Sequence, residues 1–454
     1  MGGRAMRALR LVVGSVAPLG AVVAAVLLHA SCAYRSSPEA SPSAGAAPSP
    51  SPHELATDPS EAVVARPPRA IHHVLGTGQS LAVGALGYPA LSTTQPYDNR
   101  MFDKGVRCGG TGLRAFVPLV EAFGPSPVET MSSSFANLVT RLARGGIEAE
   151  AGAGGRTHDL LVSVHAVGGA PYRLLKKGTV PYAEGMAQVT AGVTIARQEG
   201  VDYEVTAVTT AHGANDHLEK NTHYVEDLVE WQRDYEKDVN ALTGQKGTLP
   251  LFHTQYSSFT GYDPTSPIPI AQLRASVENP GKIVLVGPRY PLLYGPDGVH
   301  LTNEGYRLMG EYHAKAYHRV VVEHGVWEPL RPKTIVREGA VVRVKLLVPS
   351  PPVVLDEVRA VDPGNLGFEY VDDGPSTPTI ASVAVVSADT VEVTLSAAPT
   401  GSNRRLRYAY TGVQGAKGGL KTGARGNLRD SDNTVSRSGF ELFNWCVHFD
   451  EPVP

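Results

Sequence analysis

Four short blocks of the chain combine glycine with side chains that can do acid–base or nucleophilic chemistry. They are residues 78–84 (GQSLAVG), 168–170 (GGA), 213–216 (GAND) and 297–300 (DGVH). Serine, histidine and aspartate together can hydrolyse esters or amides, because the histidine deprotonates the serine and the aspartate orients the histidine. Glycine-rich turns and an asparagine can supply the N–H donors that this reaction needs. The blocks therefore indicate a hydrolase with a serine nucleophile.

Together and in this order, the blocks resemble the SGNH (GDSL-like) hydrolase superfamily over roughly residues 70–325. The Gly-Gln-Ser start and the doubled glycine point to its carbohydrate esterase branch, which includes sialate O-acetylesterases and acetylxylan esterases. The resemblance implies a three-layer α/β sandwich with a parallel sheet, a Ser-His-Asp triad and no cofactor.

Ser80 is the predicted nucleophile. It follows Gly78 after a short apolar run, at a predicted helix start, where a serine exposes its hydroxyl while its N–H points at an anion. A serine that only caps a helix has the same pattern. The other three blocks are what favour the catalytic interpretation.

Asp297 and His300 are the predicted acid and base of the triad. They are three residues apart on a glycine-containing loop, so the carboxylate can accept a hydrogen bond from one ring nitrogen. The other nitrogen then faces Ser80 as general base. A turn aspartate beside a surface histidine is the alternative.

The predicted oxyanion hole consists of the Asn215 side-chain amide and the backbone N–H groups of Ser80 and Gly168, with Gly169 as the alternative to Gly168. Fixed donors lower the barrier because ester hydrolysis places negative charge on the carbonyl oxygen. The glycine pair at 154–155 competes, but it follows a Gly/Ala-rich loop rather than a strand. Asn215 could instead bond only its own turn.

Further polar side chains near the blocks are candidates for substrate binding, namely Gln79, His212 and Asp216. Asp216 completes the Gly-x-Asn-Asp pattern, so a bracing role in its own loop is favoured over contact with substrate. Several histidines could suggest a metal, yet no pair has His-x-x-x-His spacing with a nearby glutamate. We therefore predict no metal; the histidines considered are His72, His73, His212, His217 and His253.

Apolar patterns place three of the four blocks at strand ends. Strands are predicted at 70–75, 160–166, 205–210, 249–256 and 283–286, and helical spacing occurs at 135–142, 182–196, 225–239 and 306–317. Strands that alternate with helices indicate βα units around a parallel sheet. Sites in such sheets form at the carboxyl ends of the strands.

After about residue 330 the pattern changes. Residues 341–347 and 391–395 read as strands, and turn-forming proline and glycine separate such runs. We predict a hydrolase domain over residues 70–329 and a β-sandwich domain over residues 330–454. Segments 426–430 and 444–445 of the second domain could contact sugar or pack against the hydrolase domain.

The first 69 residues look like an export signal and a tether. Three arginines precede an uncharged apolar run, the layout of a secretory signal. Residues 28–32 (LHASC) resemble the bacterial lipoprotein processing box, in which the cysteine, here Cys32, is lipidated. Cleavage after Ala33 and an uncleaved membrane anchor are the alternatives. We predict a signal peptide over 1–31, a disordered Ser/Pro/Ala-rich tether over 32–69, and an exported or envelope-bound protein.

Charge and cysteine content limit the partners. The net charge is −3, without the basic excess typical of nucleic-acid binding. Three cysteines exclude a disulfide scaffold. Cys108 and Cys446 could form a disulfide in an exported protein or stay as buried thiols.

The activity expected from these features is the removal of O-acetyl groups from a carbohydrate. A lipase, thioesterase or aryl esterase of the same superfamily would use the same residues, because fold and triad do not decide the substrate. A surface protein that binds polysaccharide without turnover is the third hypothesis.

Overall fold

A mixed seven-stranded sheet forms the centre of the first part of the chain in the computed structural model, which describes residues 70–124, 126–145 and 158–454. Its strands are β1 (Ala70–Gly78), β2 (Arg100–Phe102), β3 (Phe116–Pro118), β4 (Leu160–Val164), β5 (Asp202–Ala211), β6 (Leu251–Gln255) and β7 (Ile283–Pro288). They lie in the order β3-β2-β4-β1-β5-β6-β7. Neighbouring strands are parallel except β2 and β3, which are antiparallel.

Helices contact the two faces of this sheet. They are α1 (Ser132–Ala143), α2 (Val180–Glu199), α3 (Ala214–Leu218), α4 (Tyr224–Thr243), α5 (Ile268–Glu278) and α6 (Asn303–Tyr317). In β1, Val74 joins an apolar cluster with Phe135 of α1 and Met309 of α6. The next residue, Leu75, joins a different cluster with Trp231 of α4. Successive side chains of a strand point to opposite faces, so each face of β1 packs on its own set of helices.

The structure confirms the predicted βα pattern and corrects two of its details. β1 continues to Gly78 rather than stopping at Gly76. Gly76 does not mark a strand end; it lies inside the strand at a position with no room for a side chain, since a Cβ there would lie 2.8 Å from Val164 Cγ2. The sheet is not wholly parallel, since the edge strand β3 returns beside β2 without a helical crossover. The short strands β2 and β3 and helix α5 were not expected from the sequence.

The second part of the chain is rich in antiparallel strands, as the sequence predicts. One sheet has the order β12-β13-β9-β8, a second has the order β11-β14-β16, and β10 pairs with β15. The strands are β8 (Arg331–Glu338), β9 (Val341–Leu347), β10 (Val354–Leu355), β11 (Phe368–Val371), β12 (Ile380–Ser387), β13 (Thr390–Leu395), β14 (Arg405–Tyr408), β15 (Leu428–Arg429) and β16 (Phe449–Pro452).

Both parts of the described chain belong to one compact unit. The Tyr290 hydroxyl donates to the Cys446 carbonyl oxygen at 2.7 Å. Gln255, at the end of β6, accepts from the His448 N–H at 2.8 Å and donates to the His448 carbonyl oxygen at 2.9 Å. The β-rich part is therefore bonded directly to strand ends of the first sheet. The boundary at residue 330 stays a prediction.

The suggested Cys108–Cys446 disulfide is absent, because both cysteines are free, buried thiols. Cys108 lies in an apolar cluster with Ile71 and Phe102, whereas Cys446 lies in the core of the β-rich part. Burial raises the pKa of the Cys108 thiol to about 12, so it stays protonated. The two side chains fill separate cores as small apolar groups.

The predicted signal peptide, the lipidation site Cys32 and the tether lie outside the described residues, as does the glycine pair at 154–155. Among the helices that are described, none combines the length and the apolar character needed to cross a membrane.

His253, in the middle of β6, predicts a pH dependence of stability. Its ring nitrogens have no hydrogen-bond partner among the described residues, and burial lowers its pKa to about 3, with help from nearby His313 and Arg289. The unfolded chain protonates this ring below about pH 6.5, whereas the folded chain does not. The free energy of unfolding therefore does not depend on this ring above about pH 6.5. As the pH falls from there toward 3, protonation of the ring in the unfolded chain lowers that free energy by about 1.4 kcal/mol per pH unit.

Between pH 6.5 and pH 4 the free energy of unfolding of the wild type declines with falling pH, and we expect this decline to be smaller in His253→Leu by about 1.4 kcal/mol per pH unit. Urea unfolding at several pH values measures it. The matched control His223→Leu, at an exposed helix start, should keep the wild-type slope. An unchanged slope in His253→Leu would contradict the assignment.

Candidate active site

The loops that follow β4, β1 and β5 leave the sheet at the same edge, because β1 lies between the other two strands and all three are parallel. Hydrogen bonds continue past the strand ends. The Val167 N–H donates to the Gly78 carbonyl oxygen at 3.0 Å, and the Gln79 N–H donates to the Ala211 carbonyl oxygen at 3.3 Å. The first three blocks are thus held side by side.

Two glycines let the chain turn at the end of β1. Gly78 has a φ of +123°, and a Cβ there would lie 2.8 Å from the Ala211 carbonyl oxygen. Gly84 has a φ of +72°, and a Cβ there would collide with the Glu129 carbonyl oxygen. These positions require glycine for both conformation and space.

Ser80 lies in the turn between these glycines and is half-buried. The helix predicted to begin there is not formed; residues 80–86 make a run of turns instead. Its bonds have mixed spacing: the Ala82 N–H donates to the Gln79 carbonyl oxygen at 2.8 Å, and the Ala85 N–H donates to the Ser80 carbonyl oxygen at 3.0 Å. The Ser80 hydroxyl has no protein partner in the described part of the chain.

The predicted oxyanion donors also make no hydrogen bonds to protein acceptors among the described residues. Within the described residues, the N–H groups of Ser80, Gly168 and Gly169 and the side-chain amide of Asn215 donate to no protein atom. Gly168 and Gly169 are exposed, so water can satisfy their N–H groups, whereas Ser80 is half-buried. Asn215 is half-buried and its own N–H is used, since it donates to Gln79 Oε1 at 3.3 Å. This edge of the sheet therefore offers several donors from three adjacent loops.

Asp297 and His300 are in direct contact. Asp297 Oδ2 accepts from His300 Nδ1 at 2.6 Å, and Asp297 Oδ1 accepts from the N–H groups of Val299 and His300, each at 3.0 Å. Burial acts to raise the pKa of Asp297, but the hydrogen bonds from His300 and Val299 outweigh it, so this pKa is lowered. The carboxylate is ionised at neutral pH and fixes His300 through Nδ1, which leaves Nε2 available.

Helix α6 ties the His300 loop to the Ser80 turn. The Tyr306 hydroxyl donates to the Ala85 carbonyl oxygen at 2.6 Å, and Asn303 Nδ2 donates to the Pro89 carbonyl oxygen at 2.9 Å. Both donors lie in the first two turns of α6, shortly after His300. The helix that follows the fourth block is thereby bonded to the chain just after the first block. No hydrogen bond joins Ser80 and His300 directly among the described residues.

Gln79, His212 and Asp216, the candidate substrate contacts, are buried and bonded within the protein. His212 Nε2 lies 3.1 Å from the Ala170 carbonyl oxygen. Asp216 accepts from the Tyr172 N–H at 3.1 Å. These contacts join the loops after β4 and β5, so the side chains brace the site. Their contact with substrate stays a prediction.

Arg289, directly after β7, is a site residue that the sequence reasoning missed. It is 1% exposed, and its guanidinium donates to the carbonyl oxygens of Gln255 (Nε, 3.2 Å) and His212 (Nη2, 2.9 Å). Its carbon Cζ lies 5.4 Å from the centre of the Tyr256 ring. Nη1 has no acceptor in the described chain. A charged residue directly after an apolar strand was the signal available.

The histidines considered for a metal site are bonded to protein groups or lie alone in the core. His73 contacts Tyr203 Oη at 2.6 Å and Ser163 Oγ at 2.8 Å. His217 Nδ1 lies 3.0 Å from Ser266 Oγ. Across residues 70–124, 126–145 and 158–454, no group of three or more His, Cys, Asp or Glu side chains is placed to hold a metal ion.

Comparison with known proteins gives matches only at the level of structure. No family model and no curated protein matches the chain. A carbohydrate acetylesterase from Xanthomonas citri is similar over 84% of this chain and 80% of its own, with a TM-score of 0.54 and 15% identity. A protein from Arabidopsis thaliana covers 55% of this chain and 98% of its own, with a TM-score of 0.40 and 19% identity. An aryl esterase from M. smegmatis covers 54% and 97%, with a TM-score of 0.29 and 11% identity.

The last two overlays are too loose to carry an argument, and the first, at this identity, shows the fold. It spans both the sheet with its helices and much of the β-rich part. In fold, this chain is similar to that carbohydrate acetylesterase.

Proposed function

We propose that this protein is a serine esterase that removes O-acetyl groups from a carbohydrate. The proposal is supported by the free Ser80 hydroxyl beside N–H groups without protein acceptors in the described chain, and by an Asp297–His300 pair on a loop that helix α6 links to the Ser80 turn. Nucleophile, base, orienting acid and oxyanion donors are the parts that acyl transfer from an ester needs. A binding protein without turnover has no use for the complete set.

In the proposed mechanism, Ser80 Oγ attacks the acetyl carbonyl carbon while His300 Nε2 takes the hydroxyl proton. The charge on the carbonyl oxygen is bound by the N–H groups of Ser80 and Gly168 and by the Asn215 amide. Asp297 stabilises the imidazolium. The intermediate collapses, and the sugar oxygen leaves with the proton from His300. Water, deprotonated by His300, then attacks acetyl-Ser80, which releases acetate and restores Ser80.

Two features support an acetylated sugar as substrate. The Gly-Gln-Ser start and doubled glycine follow the carbohydrate esterase branch. The structural neighbour that overlays most of this chain is a carbohydrate acetylesterase. Lipid or aryl esters would use the same catalytic residues, so a panel of substrates distinguishes them: activity that rises with acyl length would favour a lipase.

We expect Ser80→Ala to abolish acetate release from acetylated sugars and nitrophenyl acetate, because no other group can form the acyl-enzyme. Loss of a triad serine costs on the order of a million-fold in kcat. The assay uses the full chain, with exposed Ser402→Ala as the matched control. Turnover retained by a folded Ser80→Ala would overturn the proposal.

We expect Asn215→Ala to lower kcat by roughly a hundred- to a thousand-fold with little change in KM, because the amide acts on charge that exists only in the transition state. Since the Asn215 amide has no protein acceptor among the described residues, the melting temperature should stay near that of wild type. Asn240→Ala, on α4, is the control. Equal losses of stability and activity would point to a structural role instead.

We also propose that the enzyme is exported and lipidated on Cys32, which the lipoprotein-like box at residues 28–32 supports. Cys32→Ser should then abolish incorporation of labelled fatty acid and release the protein from bacterial membranes. Labelling that persists in this variant, or a wild type without label, would contradict lipidation.

A further inference from the structure

A segment of the β-rich part lies against the loop that carries Asp297 and His300. We name residues 411–424, between β14 and β15, the brace segment, and residues 294–300 the catalytic loop. The Gly418 N–H of the brace segment donates to the Gly298 carbonyl oxygen of the catalytic loop at 3.0 Å. Gly298 lies between the two predicted triad residues of this loop.

The two segments are packed without room for added atoms. A Cβ on Gly298, which has a φ of +70°, would collide with the backbone and side chain of Lys417. A Cβ on Gly418 would lie 2.7 Å from Cζ of Tyr294, a distance that real Cβ atoms essentially never show. Gly418 itself is buried. The backbones of the two segments therefore meet directly, through glycine on each side.

The brace segment is anchored to the first part of the chain on its other side. Thr260, in the loop after β6, donates from Oγ1 to the Ala416 carbonyl oxygen at 2.8 Å, and its carbonyl oxygen accepts from the Gly415 N–H at 2.6 Å. The Gly412 N–H donates to the Pro264 carbonyl oxygen at 2.8 Å. The brace segment is thus hydrogen-bonded to the loop after β6 as well as to the catalytic loop.

The catalytic loop needs such support. It lies outside regular helix and strand, apart from an isolated bridge between Tyr294 and Leu301. Besides the bonds to the Asp297 carboxylate, its internal backbone bonds are those from the Gly295 N–H to the His300 carbonyl oxygen at 2.7 Å and from the Gly298 N–H to the Gly295 carbonyl oxygen at 3.0 Å. Side chains on loops hold productive geometry only when surrounding groups fix them.

We propose that Gly418 and Lys417 are positioning residues for His300, so that the β-rich part completes the active site in addition to any binding role. The inference rests on the proposed esterase function. Displacement of a catalytic group by about 1 Å can cost roughly a hundred-fold in rate. The contact therefore controls turnover rather than substrate affinity.

The test is Gly418→Ala in the full chain, assayed for kcat and KM with an acetyl ester. Gly418 lies outside the left-handed region of φ, so alanine is disfavoured there only by its contact with the Tyr294 ring. We expect kcat to fall by about ten- to a hundred-fold while KM stays within about two-fold. The matched control is Gly109→Ala, where the Cβ would have one neighbour at an ordinary 3.6 Å and kcat should be unchanged.

A second variant keeps the test decisive if Gly418→Ala does not fold. Lys417→Gly removes the side-chain atoms that cover Gly298 and introduces no collision, so a smaller loss of kcat with unchanged KM is expected. Exposed Val413→Ala, in the same segment, is its control. A folded Gly418→Ala or Lys417→Gly with wild-type kcat would overturn the positioning role. Activity that survives in Ser80→Ala would instead overturn the proposed function.

Discussion

The parallel pairing of β1 with β4 on one side and β5 on the other is the constraint on which the site depends. It sets Gly78 opposite Ala211 and brings the nucleophile turn between the loops that carry Gly168 and Asn215. Both faces of β1 are buried over most of its length. A shift of register by one residue would exchange the two faces, so that Val74 and Leu75 would each meet the helices that now pack on the other. Packing in the core thus determines the register of β1, and the register determines which N–H donors of the neighbouring loops lie beside the Ser80 turn.

The predicted acid and base, Asp297 and His300, are not positioned by this strand pairing. They lie more than 200 residues after Ser80 in the chain, outside the sheet, and depend on α6 and the brace segment for their position. Single hydrogen bonds of this kind contribute only about 1 kcal/mol each. Several of them from different elements are needed to fix the loop. Under the proposed mechanism, the β-rich part contributes to catalysis because its brace segment is bonded to the loop that carries Asp297 and His300.

Much of this arrangement is predictable from the sequence, for identifiable reasons. Strands and helices with strong apolar periodicity, such as β5 and α4, lie where the pattern placed them. The blocks at strand ends follow from the rule that parallel sheets place their sites there. The strands β2 and β3 were not predicted because three residues are too few to show an alternation of apolar and polar side chains. Whether Cys108 meets Cys446 depends on tertiary packing, which spacing along a chain does not encode.

The burial of Arg289 could not be predicted from the sequence pattern, because an arginine after a strand is normally exposed to solvent. Burying a guanidinium costs several kcal/mol unless it is paired, and no carboxylate in the described chain pairs with it. It is bonded instead to the carbonyl oxygens of Gln255 and His212, at the ends of two neighbouring strands. A buried charge acts through a low dielectric and so reaches further than a surface charge. Arg289 is therefore strongly attracted to these two carbonyl oxygens and fixes the ends of β6 and β5, the second of which leads into the segment that carries Asn215.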